Sequence, residues 1–126
     1  MEQRPKVVLL AEDDAQSAAA WMAVLRQNGF EVVWAPDGAA ALALAQLATP
    51  DLLVTDWSMP GLDGLGLCVA FRADPSFAAV PIILTSSEVF TGGPETTLHN
   101  LFVQKPVNAV GLIAAVSALM KAPSEK

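Results

Sequence analysis

The stretch from Val7 to Asp14 reads VVLLAEDD, a continuous apolar run that ends in three adjacent carboxylates. A run that is apolar at every position is typical of a strand buried on both faces of a sheet. Adjacent ionised carboxylates repel one another, and this repulsion costs stability unless a cation or a hydrogen-bond donor lies among them. The stretch therefore predicts a buried strand whose carboxyl end needs a positively charged partner.

Similar apolar runs recur along the chain, and segments with helical periodicity separate them. The runs predict strands over 6–11, 30–34, 51–55, 80–84 and 101–103. Helical spacing of apolar residues predicts a helix around Ala18 to Leu25 and others over 39–48, 65–73 and 109–121, the last capped by Asn108. Strands that alternate with helices in this way predict a parallel sheet covered by helices on both faces and joined by right-handed crossovers.

The composition excludes several classes of function. The 126 residues suit one domain, and no apolar run is long enough for a membrane span or, near the N-terminus, for a secretory signal, so we expect a cytoplasmic protein. A formal net charge of −6 is a poor electrostatic footprint for nucleic acid, so we expect no direct contact with it. Cys68 and His99 are the only cysteine and histidine, which excludes a zinc site built from these residue types. We expect Cys68 to be a small apolar core residue.

Four of the predicted strands are followed directly by charged or hydroxyl side chains. The carboxyl ends of parallel strands share one edge of the sheet, where folds of this class place their functional site. Carboxylates without a histidine or thiol among them favour Mg²⁺, which binds through one or two carboxylates and keeps waters and a phosphate oxygen. With Mg²⁺ and a lysine offsetting the charge, one carboxylate could attack phosphorus and form an aspartyl phosphate. The residues are Glu12, Asp13 and Asp14 after the first strand, Asp56 after the third, Thr85, Ser86 and Ser87 after the fourth and Lys105 after the fifth.

Over essentially its whole length, the chain resembles the receiver domains of bacterial two-component response regulators. The resemblance implies a flavodoxin-like fold, an open five-stranded parallel sheet in the order 2-1-3-4-5 with helices on both faces. It also implies one receiver domain over 5–121, with 122–126 as a C-terminal tail or the start of a linker. The motifs that carry it are Glu12-Asp13, Asn28-Gly29-Phe30, Asp37-Gly38, the segment DLLVTDWSMPGLDG around Asp56, PIILTS at the end of the fourth strand, and Lys105-Pro106.

The resemblance assigns a metal site and a phosphoryl acceptor. It implies that Asp56 accepts a phosphoryl group from a histidine kinase or a histidine phosphotransfer protein, in a reaction that depends on Mg²⁺. Asp13 would bind the ion directly and Glu12 through water, while Asp56 and the backbone carbonyl of Ser58 would complete the protein ligands. Asp14 is better placed as the N-cap of the following helix.

The resemblance also assigns the residues that transmit the signal. Lys105 would pair with the phosphoryl group, Thr85 would swing toward it, and Phe102 would follow as the aromatic switch, although an ordinary core position is an equal reading of Phe102. The Lys105-Pro106 bond is commonly cis in this family. Small polar residues at Ser58 and Ser87 predict that water is not strongly excluded and that the phosphoryl group is not long-lived.

The segment between Thr85 and Lys105 departs from the family pattern. It is shorter than usual, and Gly92-Gly93-Pro94 breaks any helix that starts at Ser86. We therefore predict a short helix over 95–99 or a mobile loop where the family has a full helix. Partner choice and dimer mode should not be carried over, because this helix contributes to the surface that changes on phosphorylation in the family.

The sequence-based interpretation is a receiver domain that is not an enzyme beyond its own phosphoryl uptake and loss. Its downstream protein target or effector domain lies outside this chain, and phosphorylation could also drive a dimer. The chain could be a stand-alone regulator, a phosphorelay shuttle, or part of a hybrid kinase or longer regulator. The alternatives are an interaction module that works without phosphorylation, a flavin-binding domain, whose phosphate Glu12, Asp13 and Asp14 would repel, and an aspartyl phosphatase, for which the second acid near Asp56 is missing.

Overall fold

The computed structural model describes residues 4–88 and 98–120 of the chain. Within these two ranges, strands and helices alternate in the way that the apolar runs predict. The elements are β1 (Val7–Ala11), α1 (Ala15–Gln27), β2 (Glu31–Ala35), α2 (Gly38–Leu47), β3 (Leu52–Asp56), α3 (Gly64–Ala73), β4 (Ile82–Ser86), β5 (Leu101–Gln104) and α4 (Ala109–Leu119).

The five strands form one parallel sheet in the order β2-β1-β3-β4-β5. This is the predicted flavodoxin-like order. β1 lies between β2 and β3, so the chain reverses its winding direction beside the end of β1. In open α/β sheets, this reversal leaves a crevice at the carboxyl ends of the strands, which is the usual place for a binding site.

The core has two layers, one on each face of the sheet. β3 and β4 are buried at every position, as expected for strands covered on both faces. Successive residues of β1 point to opposite faces, so Leu9 packs with α2 and α3 while Val8 and Leu10 pack with α1 and α4. Cys68 on α3 is fully buried, and burial raises the pKa of its thiol to about 11, which confirms the prediction of a core cysteine.

Each helix in the described part of the chain begins at an Asp or Asn that accepts a hydrogen bond from a backbone N–H three residues later. Such a cap satisfies one of the unpaired N–H groups of the first turn. Asp14 and Asn108 are among these caps, as predicted. The other two caps are Asp37 and Asp63.

The main difference in element boundaries concerns β4. The strand begins at Ile82 and not at Val80, because Pro81 has no N–H to donate to a neighbouring strand. The prediction of a short helix over 95–99, or a mobile loop, falls mostly on residues 89–97, which lie outside the described residues. None of the helices described here is both long enough and apolar enough to cross a membrane.

Candidate active site

The register of β3 against β4 places an acid and a hydroxyl side by side. Asp56 is the last residue of β3 and pairs with Thr85 of β4. Both are buried, with 8% of Asp56 and 1% of Thr85 exposed. The Trp57 N–H donates to the Thr85 carbonyl at 2.8 Å, which continues the pairing one residue beyond the strand. The two side chains are therefore fixed by backbone pairing at the carboxyl edge of the sheet.

Three carboxylates meet at this edge. One carboxylate oxygen from each of Glu12, Asp13 and Asp56 lies within 4.8 Å of the other two. Glu12 and Asp56 are buried, whereas Asp13 is exposed. Hard oxygen ligands with one member open to solvent suit Mg²⁺, which retains part of its water shell when it binds to proteins. The donor set of these residues therefore fits the ion.

Lys105 supplies the positive charge that the crowded carboxylates require. Its Nζ lies 2.9 Å from Glu12 Oε1 and 3.3 Å from Asp56 Oδ1. Burial works to lower the pKa of Lys105, but the hydrogen bond to Glu12 and the charge of Asp56 outweigh it, so the pKa lies above its usual value. The ammonium is therefore charged at neutral pH. The Lys105-Pro106 peptide bond is cis.

The ionised form of Asp56 remains disfavoured despite this partner. Burial raises its pKa, the charge of Lys105 lowers it in part, and the neighbouring charges of Glu12 and Asp13 raise it further, so the net shift is upward. A second cation near Asp56 would offset the same repulsion. Both the geometry and the electrostatics therefore favour binding of a divalent cation at this place.

Glu12 is held by more contacts than its sequence position suggests. Its Oε2 accepts a hydrogen bond from the Asp14 N–H at 3.1 Å, in addition to the Lys105 contact at Oε1. The indole N–H of Trp34 donates to the Glu12 carbonyl at 2.8 Å. No local sequence pattern marks this hydrogen bond, because it joins residues 22 positions apart in the chain.

Asp14 turns away from the cluster. Its Oδ2 accepts hydrogen bonds from the Ser17 hydroxyl at 2.6 Å and from the Ser17 N–H at 3.1 Å, and these bonds lower the pKa of Asp14. The third acid of VVLLAEDD is thus a helix cap, as predicted.

The loop after Asp56 lines a cleft of about 410 Å³ that opens beside the site. Ser58 is exposed in this loop, and Ser87 faces it from the end of β4. Phe102 is half-buried on β5, and its ring meets Trp57 edge to face, with centroids 6.5 Å apart and planes at 88°. The structure thus brings the predicted switch position into contact with the residue that follows Asp56.

Gly64 at the start of α3 is a further site residue that the sequence reading did not single out. Its N–H donates to the Trp57 carbonyl at 2.8 Å, and a Cβ at this position would overlap the backbone carbonyl oxygen of Asp56. Only glycine allows α3 to approach the end of β3 this closely. In the sequence, Gly64 is the second glycine of the PGLDG segment, directly after the helix cap Asp63.

The sequence profile of the response regulator receiver domain matches residues 8–117. The chain belongs to this receiver family. The match covers the ends of β1, β3 and β4 and the residues after β5, so the whole acidic cluster and Lys105 lie inside it.

Two curated relatives of this receiver domain come from Mycobacterium tuberculosis H37Rv. The DNA-binding response regulator MtrA is 32% identical over 125 residues, which cover 96% of this chain and 52% of that protein. The transcriptional regulatory protein PrrA is 37% identical over 116 residues, covering 90% of this chain and 49% of that protein. The chain thus spans about half the length of the curated relatives that it matches.

A solved structure shows the same receiver fold with a metal bound. It is the receiver domain of sensor histidine kinase PA1611 from Pseudomonas aeruginosa PAO1, with a magnesium ion coordinated in its active site cleft. The TM-score is 0.84 at 26% identity, and the match covers 94% of this chain and 99% of that one.

Proposed function

We propose that residues 5–121 form a receiver domain that takes up a phosphoryl group on Asp56 in a Mg²⁺-dependent reaction. The donor is the phosphohistidine of a histidine kinase or of a histidine phosphotransfer protein. The observation that carries this proposal is the position of Asp56, which lies 3.3 Å from the Lys105 ammonium and within the carboxylate cluster of Glu12 and Asp13. Asp56 thus lies between a positive charge and two negative ones. This arrangement suits phosphoryl transfer, whose catalysis is mostly positioning and charge stabilisation.

The residues present fit a Mg²⁺ ion. Asp13 and Asp56 would bind it through carboxylate oxygens, Glu12 would contribute through water, and the Ser58 carbonyl would complete the protein ligands. When bound, the ion neutralises charge on the phosphoryl oxygens and on the acids beside them. Magnesium in the active site cleft of the PA1611 receiver domain supports the same choice of metal here.

The residues of this chain then have separate roles in the transfer. An Asp56 carboxylate oxygen forms the new bond to phosphorus while the bond from phosphorus to the imidazole nitrogen breaks, and its electron pair leaves with the imidazole of the donor. Lys105 pairs with a phosphoryl oxygen, and the Thr85 hydroxyl donates to another. Asp56 is regenerated when the phosphoryl group leaves it, so the domain acts on itself and not on a pool of substrate.

We propose that Thr85 and Phe102 carry the change to the surface. Thr85 pairs with Val103 of β5 in the strand register, so a displacement of the threonine acts directly on the strand that bears Phe102. Phe102 would then move relative to Trp57, and the surface around β5 and α4 would change. The changed surface would be recognised by a downstream protein target or an effector domain, and a phosphorylation-dependent dimer is a further outcome.

We propose that this chain makes no nucleic-acid contact of its own. Its formal net charge is −6, which disfavours approach to phosphate backbones. MtrA, which is described as DNA-binding, is about twice as long as the region that it shares with this chain. A cytoplasmic location follows from the kind of donor and partner proposed.

Beryllofluoride, which mimics a phosphoryl group, tests this proposal together with Mg²⁺. Trp57 adjoins Asp56, so we expect its emission to change on addition of Mg²⁺ and again on addition of beryllofluoride. Asp56→Asn should lose both responses. Asp63→Asn is the matched control, because it removes a carboxylate from the same cleft and asparagine still caps α3. No response in the wild type would leave only an interaction module that works without phosphorylation.

A further inference from the structure

The ammonium of Lys105 has a third neighbour besides its two carboxylates. Nζ lies 5.6 Å from the centroid of the Trp21 ring, on the side of the ring face. Trp21 belongs to α1 and is half-buried, and its side chain packs against the core cluster that includes Leu25 and Leu112. One helix therefore presents a firmly held aromatic face to the lysine at the acidic cluster.

We propose that Trp21 is a positioning residue for Lys105, its indole face holding the ammonium against Glu12 and Asp56. The inference rests on the proposed function for its consequence, because the position of Lys105 matters most when a phosphoryl group reaches Asp56. The contact itself is present without any ligand and can be tested without one.

The chemistry of the two groups makes this contact effective. Lysine carries a compact charge on a flexible stem, and it loses several freely rotating bonds when it is held in one place. Tryptophan offers the most favourable aromatic face for a cation within about 6 Å of the ring centroid. The side chain of Lys105 is only 21% exposed, so water screens the attraction less than at an open surface.

The ring also differs from a carboxylate partner in a useful way. A π face attracts the ammonium without fixing the direction of any N–H bond. The three N–H groups of Lys105 therefore remain available to Glu12, to Asp56 and, after transfer, to a phosphoryl oxygen. The contact confines the charge without competing for its hydrogen bonds.

The space beside this contact shows where the lysine would otherwise go. An open cleft of about 640 Å³ is lined by Trp21 and Lys105 together with Ser17 and Pro106. Trp21 and Lys105 thus border the same open space, and removal of the indole ring would enlarge the space open to the lysine stem.

A double-mutant cycle on the full chain separates this role from simple packing. Trp21→Leu removes the ring and keeps an apolar side chain, and Lys105→Met removes the charge and keeps the stem. We expect Trp21→Leu to increase the unfolding equilibrium constant about two- to fivefold more in the presence of Lys105 than in the Lys105→Met background. Phe30→Leu is the control, because Phe30 is a half-buried aromatic residue of the same core cluster and should show no such coupling.

Equal effects of Trp21→Leu in the two backgrounds would overturn the proposal, since a packing role does not depend on the charge of Lys105. Should Trp21→Leu not fold, Trp21→Met against Trp21→Phe replaces it in the cycle. We expect the coupling to be retained in part by the smaller ring of phenylalanine and lost with methionine.

A second readout connects the contact to function. In Trp21→Leu we expect labelling by a small phosphodonor to slow about two- to fivefold while the affinity for Mg²⁺ rises, because a less confined ammonium competes less with the ion. A general disturbance of the site would lower both the labelling rate and the affinity for Mg²⁺, and that result would contradict the proposal. If the wild type took no label at all, the proposed function would fail, and the unfolding cycle would still decide the role of Trp21.

Discussion

Lys105 Nζ donates to Glu12 Oε1 at 2.9 Å, and this bond joins the end of β1 to the residue that follows β5, 93 positions later in the chain. The Glu12 side chain is 2% exposed and the Lys105 side chain 21% exposed, so the acid is shielded from water and the lysine is only partly shielded. The lysine is the cation that the crowded carboxylates of VVLLAEDD require. The same ammonium reaches Asp56, so one lysine pairs with both buried acids before any phosphoryl group is present.

Removal of this cation should destabilise the fold. Lys105→Met leaves Glu12 and Asp56 buried without a positive partner, and we expect the free energy of unfolding to fall by about 1–3 kcal/mol, less than for a fully buried pair because the lysine reaches solvent. Mg²⁺ should restore part of the loss by binding only to the folded state. Urea unfolding with and without Mg²⁺ measures both effects, and Lys6→Met controls for the change in net charge. Unchanged stability of Lys105→Met without Mg²⁺ would contradict the role given to Lys105.

Acid should remove a different contribution to stability, which Asp51 makes at the opposite end of the sheet. Burial alone would raise the pKa of Asp51, but hydrogen bonds from the Val7 N–H at 2.8 Å and from Arg4 outweigh it, so the pKa lies below its usual value. A lowered pKa in the folded state gives stability that is complete above the unfolded pKa and is lost as the pH falls through the folded value. The stability difference between wild type and Asp51→Asn should therefore be constant near neutral pH and shrink below about pH 4. Urea unfolding over this pH range measures it, and a difference that does not change with pH would disprove the account.

Arg72 connects α3 to the segment before β4 and to the segment before β5. Its guanidinium donates to the carbonyls of Ala78, Val80 and Leu98 and to Asn100 Oδ1, at distances of 2.7–3.0 Å. Arg72→Met keeps the apolar stem and removes all these bonds, so we expect a loss of about 2–3 kcal/mol in unfolding free energy. Hydrogen exchange should quicken at the Asn100 N–H, which donates to the Ile82 carbonyl.

Arg26→Met is the matched control for that variant. The Arg26 guanidinium donates one long bond, 3.3 Å to the Val32 carbonyl, so its removal should cost less than 1 kcal/mol, roughly the worth of one such bond. Equal losses for the two arginine variants would show that the network at Arg72 has no special weight.

The close approach of α3 to the end of β3 predicts a contrast between two glycines. A Cβ at Gly64 would overlap backbone atoms of Asp56 and Trp57, so Gly64→Ala should cost about 1–3 kcal/mol and slow phosphoryl uptake by displacing Asp56. At Gly66 the nearest atom is the end of the Leu62 side chain, which can move, and alanine favours the helix. Gly66→Ala should therefore be as stable as the wild type or more so. Thermal unfolding and phosphodonor labelling of both variants check this, and a harmless Gly64→Ala would contradict the packing described.

Much of the fold could be predicted because it depends on local patterns. The apolar runs identify the strands, and the rule that parallel strands end at one edge of the sheet predicts that Asp56, Thr85 and Lys105 lie together. The cap at Asp14 followed from its position before a helical period. Each of these inferences needs only residue type and spacing.

The remaining features depend on side-chain directions that spacing does not fix. The pairing of Glu12 with Lys105 depends on the directions of the side chains that follow β1 and β5, and the contact of Trp21 with that lysine depends on how α1 packs on the sheet. The start of β4 was misplaced by two residues, because an apolar run does not reveal where hydrogen bonding between strands begins. The metal-binding, phosphoryl-transfer and switch roles given to the site residues, Ser58 and Phe102 among them, stay predictions.

The central claim is that Asp56 is a reversible phosphoryl carrier, and the intact mass of the chain tests it most directly. With Mg²⁺ and a small phosphodonor, the wild type should gain the mass of one phosphoryl group, mapped by peptide analysis to Asp56 and lost on mild base treatment as expected for an acyl phosphate. Asp56→Asn, or omission of Mg²⁺, should abolish the gain. A wild-type chain that gains no mass, or an Asp56→Asn variant that gains it equally, would contradict the account.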